Sequence, residues 1–127
     1  MSWVWDQSAG ALYRDGKLIS RGYAGKGRGR NNPGLQGVRG VGPIPRGRYA
    51  IKSVADSPNT GKFTITVHAI DATPNDDRHD ETGRSAFRIH GDNARGDFSA
   101  SSGCIILPRD KRELIWRSGD RILEVIE

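Results

Sequence analysis

Glycine and proline interrupt this chain so often that little room is left between them for long helices. Seventeen glycines and six prolines fall among 127 residues, nearly a fifth of the chain against about 12% in an average protein. Glycine costs a helix or strand backbone entropy, and proline removes a hydrogen-bond donor. Between these breaks the apolar residues come in short runs. Trp3 and Trp5 alternate with polar neighbours, and Phe63-Thr64-Ile65-Thr66-Val67 and Cys104-Ile105-Ile106-Leu107 follow later. Short runs bounded by turn residues read as β-strands, so a mainly β chain is expected. This length supports one core, and two domains would each fall short of one. Residues 1–127 are therefore read as a single domain.

No apolar stretch approaches the ~20 residues that span a bilayer, which argues against membrane insertion. Met1-Ser2-Trp3-Val4-Trp5-Asp6 carries neither a basic n-region nor an apolar h-region, so synthesis in the cytoplasm without a signal peptide is expected. The single cysteine, Cys104, makes neither an internal disulfide nor a cysteine zinc knuckle. Twenty Lys+Arg against 15 Asp+Glu leave a formal charge of +5, which suits a polyanionic surface such as an acidic bacterial envelope.

Along the chain, Ala11-Leu12-Tyr13-Arg14 faces Lys17-Leu18-Ile19-Ser20 across Asp15-Gly16. That dipeptide tolerates the positive φ required at both centres of a type I′ hairpin turn. Gly22 to Gly42 reads as a long Gly/Arg/Asn loop, of a length that is usually functional or mobile. A Pro-Gly turn at Val41 to Gly47 feeds a strand through Val54, and a second strand covers Lys62 to Ile70. Asp71 to Ser85 is a charged loop, Ala86 to His90 a short strand, Gly91 to Ser102 a loop, and Cys104 to Leu107 a strand. Pro108 opens the one helix, with Leu114 and Ile115 toward one side, and Gly119 ends it. Asp120 to Ile126 closes the chain as a strand. The sum is about seven or eight strands and one helix, a sandwich or open barrel.

Several chemistries fail on spacing. Gly25 to Arg30 lacks the Gly-Lys-Ser/Thr ending and the βαβ surroundings of a phosphate loop. Positive residues are dense only at Lys26, Arg28 and Arg30, with no recognition helix or aromatic strand motif beside them, which argues against nucleic acid. His68, His79, His90, Asp92 and Cys104 show no metal-ligand spacing, so neither a metal nor another cofactor is expected. His79, among Asp76, Asp77, Asp80 and Glu81, reads as part of a solvated loop.

Cys104 and His90 are the sharper pair. His90 ends one apolar strand and Cys104 begins another, so paired strands would bring thiol and imidazole together. A neutral thiol is a poor nucleophile, and an adjacent imidazole can take its proton. Gly103 lets the backbone approach a substrate carbonyl, and the amides of Ser102, Gly103 and Cys104 can face a developing oxyanion. The bland reading is an isolated cysteine buried before Ile105-Ile106-Leu107.

Ile89-His90-Gly91 followed by Ser101-Ser102-Gly103-Cys104-Ile105 resembles the active-site signature of L,D-transpeptidases, and Gly42-Pro43-Ile44-Pro45-Arg46-Gly47-Arg48-Tyr49 is similar to an upstream segment of that family. The opening Trp3 to Tyr23, with Gly22-Tyr23-Ala24-Gly25, looks like the branch exported by type VI secretion into rival bacteria. The resemblance implies an L,D-transpeptidase-like fold, Cys104 as nucleophile and His90 as base. It implies attack on peptidoglycan tetrapeptide stems, release of terminal D-alanine, and D-amino acids as acceptors. It further implies the type VI secretion apparatus, a cognate immunity protein, and action in the periplasm of target bacteria by a monomer. Gly91, through its carbonyl, or Asp92 is the candidate orienter of His90, and Ser101 holds the loop or binds substrate. Two positions depart from the family: Ser102 replaces a usual histidine and Ile106 a usual arginine. Arg88, or Lys26, Arg28 and Arg30, then become candidates for the substrate's carboxylates. The competing class is a non-catalytic basic module for envelope or nucleic acid with Cys104 buried and inert.

Overall fold

The computed structural model describes residues 2–71 and 77–127. Asp76 and part of the charged loop after Asp71 lie outside the described residues. Among the described residues nine strands form one mixed sheet, and a single α-helix follows the eighth strand. The fold is therefore mainly β with one short helix, and the sheet does not close into a barrel.

The hairpin turned by Asp15-Gly16 forms as that dipeptide requires. β1 (Trp3–Asp6) pairs antiparallel with β2 (Ala11–Arg14), which pairs with β3 (Lys17–Arg21). Asp15 and Gly16 both take positive φ, 52° and 77°, as a right-twisting two-residue turn needs. The chain then makes the two-residue β4 (Tyr23–Ala24) and, after a long connection, β5 (Gly47–Ser57) and β6 (Gly61–Ala69). These last two are the longest strands and form the longest antiparallel pair. β7 (Arg88–His90), the two-residue β8 (Ile105–Ile106), helix α1 (Arg109–Arg117) and β9 (Ile122–Ile126) complete the chain.

The sheet order is β3-β2-β1-β9-β5-β6-β7-β8-β4. The last strand lies in the middle, parallel to β1 and antiparallel to β5. Leu12 in β2 belongs to the same buried cluster as Ala24 in β4 and Ile105 in β8. Both ends of the sheet therefore wrap toward one core, and α1 contributes the fully buried Ile115 to it.

Two sequence expectations change here. Leu114 does not share the buried side of α1; it is 44% exposed, while Arg112 and Ile115 are buried. Neighbouring helical residues point about 100° apart, whereas i and i+3 share a face. The segment from Gly22 to Gly42 is also not a loose loop. It contains β4 and two 3-10 turns, Gly27–Gly29 and Pro33–Leu35. Its strands of backbone are stitched together by Lys26 N–H to Val41 O and Asn31 N–H to Ala24 O, each 2.8 Å. A Cβ on Gly42 would run into the Leu35 carbonyl, and one on Gly29 into the Val41 carbonyl. Those glycines serve close backbone packing.

Candidate active site

The site is built on the parallel pair β7 and β8, where Ile89 is level with Ile105 and His90 with Ile106. Ile89 and Ile105 face the core. Side chains alternate along a strand, so Arg88 and His90 on one side of the pair, and Cys104 and Ile106 on the other, belong to the opposite face. Continuing the register by one residue brings Cys104 level with Arg88, one diagonal step from His90. Parallel pairing thus brings the nucleophile candidate and the imidazole onto one face of neighbouring strands. Among the described residues they do not hydrogen-bond each other. The thiol donates to the Ala86 carbonyl at 3.7 Å, and the imidazole engages its own neighbour.

That neighbour is the backbone. His90 Nδ1 lies 2.9 Å from the Gly91 carbonyl. A carbonyl only accepts, so the ring proton is on Nδ1 and a neutral imidazole keeps its lone pair on Nε2. Asp92, the side-chain alternative, is occupied elsewhere: Tyr23 Oη donates to its Oδ1 at 2.7 Å, and the Asn93 amide donates at 2.9 Å. Burial and the Asp92 contact push the Tyr23 phenol up to about 12, so it stays protonated and donating. Burial pushes the His90 imidazole below its ordinary range; the Gly91 carbonyl opposes this and the Arg112 cation adds to it. Burial pushes the Cys104 thiol up, against a backbone hydrogen bond from Arg88 and the charges of Arg88 and Arg84. Both groups are thus held neutral around pH 7, the starting state for a general-base transfer.

The turn that carries Cys104 is pinned by Ser101, which is 1% exposed. Its hydroxyl donates to the Cys104 carbonyl at 2.6 Å and accepts from the amides of Gly25 at 2.9 Å and Gly103 at 3.0 Å. The Gly103 amide is therefore engaged by the Ser101 hydroxyl. The Ser102 and Cys104 amides have no such acceptor among the described residues. Gly103 has a positive φ of 149°, and a Cβ there would collide with the Arg84 guanidinium. The close approach that requires glycine is thus to Arg84.

Cys104 is half-buried and lines a cavity of about 300 Å³ with Arg39, Arg84, Phe87, Ser102 and Gly103. A larger groove of about 570 Å³ opens on the side of Gly91, Asp92 and Ile106, with Tyr23, Phe98 and Arg109 in its walls. The thiol lines only the smaller of these two cavities, and His90 lines neither.

Arg88 donates to the Phe87 carbonyl at 2.7 Å and approaches Asp77 at 3.7 Å. Of the basic loop, Arg30 lies over the exposed Phe98 ring at 4.1 Å. His79 is not a solvated loop residue: it is buried, with Nδ1 on Thr82 Oγ1 at 2.9 Å and Nε2 on the Arg46 carbonyl at 3.0 Å. His68 lies 3.6 Å from Asp77. Among the described residues no three His, Cys, Asp or Glu side chains gather as metal ligands would.

Two buried arginines escaped the sequence reading. Arg84 bonds the carbonyls of Gln36, Gly42, Pro43 and Ser102. Arg112 bonds those of Leu107, Lys62 and Phe63, and packs against Gly91. Neither stands in a motif, because all but one of their carbonyl partners are distant in sequence. For Arg112, the three-residue spacing from Ile115 was the one available signal.

A family model, the Tlde1 domain, matches residues 19–125. No curated protein matches the chain.

Proposed function

The chain belongs to the Tlde1 domain family, type VI secretion effectors of L,D-transpeptidase type, and from that membership we propose a cysteine-dependent enzyme that trims and exchanges the ends of peptidoglycan tetrapeptide stems. The observation that carries this reading is the shared face of Cys104 and His90 on neighbouring parallel strands, with the Nδ1 proton of His90 held by the Gly91 carbonyl. The half-buried thiol at a cavity wall also supports it over an inert core cysteine.

In the proposed reaction, Nε2 of His90 takes the Cys104 proton, and the thiolate attacks the carbonyl of the third stem residue, diaminopimelate. Catalytic hydrogen bonds are often long without substrate and tighten in the reacting complex, which accommodates the missing thiol–imidazole bond. The Ser102 and Cys104 amides, left without acceptors, stabilise the tetrahedral oxyanion. As the C–N bond breaks, His90 returns the proton to the departing D-alanine amine, leaving a thioester on Cys104. Water then releases a trimmed tripeptide, or the amine of a free D-amino acid restores an amide in exchange. A second stem's amine would give a cross-link. Each resolution regenerates the thiol through His90.

The same reading places action in the periplasm of target bacteria, after delivery by the type VI apparatus, with a cognate immunity protein protecting the producer. The basic face around Lys26, Arg28 and Arg30 gives an acidic inhibitor its complement. Mass spectrometry of muropeptides incubated with the protein, with and without D-amino acids, tests the activity. Cys104→Ala is expected to reduce D-alanine release to background, with an unchanged circular dichroism spectrum. Undiminished release by folded Cys104→Ala would overturn the mechanism.

A further inference from the structure

Arg84 is a buried cation of an uncommon kind. Its residue is 4% exposed, and the two terminal nitrogens of its guanidinium donate to four carbonyls: Gln36 at 2.6 Å, Pro43 at 2.9 Å, and Gly42 and Ser102 at 3.1 Å each. Among the described residues no carboxylate pairs with it. Carbonyl oxygens satisfy its protons and leave its net charge uncancelled, and buried arginines ordinarily occur paired. The ring of Phe87 covers it at 5.2 Å.

The position of this charge is specific. Arg84 and Cys104 line the same cavity of about 300 Å³. The Ser102 carbonyl that Arg84 holds is two residues before the thiol, and Gly103 is the residue whose missing Cβ admits the guanidinium. The other bonds reach Gln36, Gly42 and Pro43, so one side chain ties the nucleophile turn to the folded Gly22 to Gly42 segment.

We infer that Arg84 is a positioning residue for the nucleophile: it ties the turn from Ser101 to Cys104, through the Ser102 carbonyl, to the carbonyls of Gln36, Gly42 and Pro43 and supplies the uncancelled positive charge beside which the thiol ionises. This rests on the reading of Cys104 as the nucleophile. The charged groups around the thiol are Arg88, Arg84 and Asp77, and Arg39 lines the same cavity. Arg88 approaches Asp77 at 3.7 Å, so part of its charge is answered locally. Tyr49 and Arg39 face Arg84 itself, and neither brings a carboxylate. Burial works against the Cys104 thiolate, and Arg84 is a charge on the other side of that balance.

The test is the pH dependence of Cys104 alkylation by iodoacetamide in the full chain, followed by intact mass. In this reaction the thiolate displaces iodide and forms the new C–S bond, so the rate reports the thiolate fraction. Arg84→Met is expected to raise the alkylation midpoint by about one pH unit, making the reaction roughly tenfold slower at neutral pH. Arg84→Lys keeps the charge with fewer donors. Its midpoint should stay within about half a unit of the wild type even as the melting temperature falls. A folded Arg84→Met protein with the wild-type midpoint would overturn the inference. So would a folded Arg84→Lys protein displaced by a full unit, and that variant decides the matter if Met prevents folding. Alkylation needs no peptidoglycan. A wild type that shows this pattern but releases no D-alanine overturns the proposed function and leaves the Arg84 inference standing.

Discussion

The two ends of the sheet are held together by different means. From β3 to β6 the strands run four to 11 residues, and ladder pairing with alternating burial does most of the holding. At the other end β7 has three residues, and β8 and β4 two each. Ladders that short contribute few hydrogen bonds. Side chains reaching backbone groups replace them: Arg84 and Arg112 on carbonyls, Ser101 on two amides and a carbonyl, and Tyr23 between Asp92 and the Ala100 amide. Short strands leave backbone at their ends outside any ladder, and the side-chain clamps hold that backbone in place. The regular half should thus govern stability, and the clamped half should govern the site.

His90→Gln gives the sharpest break between the halves. Loss of the general base is expected to slow D-alanine release by about 10²- to 10⁴-fold, with the melting temperature nearly unchanged, as measured by muropeptide mass spectrometry and calorimetry. Leu123→Ala probes the other half. This fully buried side chain on the central β9 should cost about 2–5 kcal/mol of stability. Specific activity per folded molecule should be preserved, and urea titration alongside turnover checks both. Ser101→Ala lies between the extremes, because it strands the buried Gly25 and Gly103 amides. A loss of about 1–3 kcal/mol is expected, here accompanied by slower alkylation of Cys104. Equal activity loss in Leu123→Ala and Ser101→Ala would erase the distinction between the halves.

The smallest effect is the pH response. His90 is held below its ordinary value of 6.5, so its base form survives into mildly acid solution. The acid limb of D-alanine release should therefore lie below pH 6.5. Stability follows the same sign: below the ordinary histidine range the unfolded chain takes up the proton first, so stability falls as pH drops toward the folded value. A limb at or above pH 6.5 would contradict the burial that lowers it.

Where local chemistry dictated the outcome, the sequence was readable. Asp15-Gly16 selects its turn through backbone sterics, Trp3 and Trp5 alternate as a strand with one core face, and Pro108 and Gly119 bracket the helix. The family resemblance was carried by His90, Gly91 and the residues from Ser101 to Ile105, and the matched family agrees with it. The glycine-rich segment was misread because glycine has two uses, looseness and close packing, and only the neighbouring backbone distinguishes them. At Gly42 the Leu35 carbonyl occupies the space of a side chain. Leu114 was misplaced because the helix is short and the buried position beside Ile115 is taken by an arginine.

The sequence by itself determined that the chain is mainly β with one short helix, roughly where most of its strands lie, and that Cys104 and His90 are the pair to examine. Those features follow from local sterics, apolar periodicity and the scarcity of reactive side chains, none of which needs a partner distant in the chain. Tertiary structure decided that β9 enters the middle of the sheet, that the Gly91 carbonyl rather than Asp92 engages His90, and that the Gly103 amide is spent on Ser101. It also placed Arg84 beside the thiol. Each of these depends on which carbonyl or carboxylate arrives from elsewhere in the fold, and every residue carries a carbonyl, so no residue type announces it.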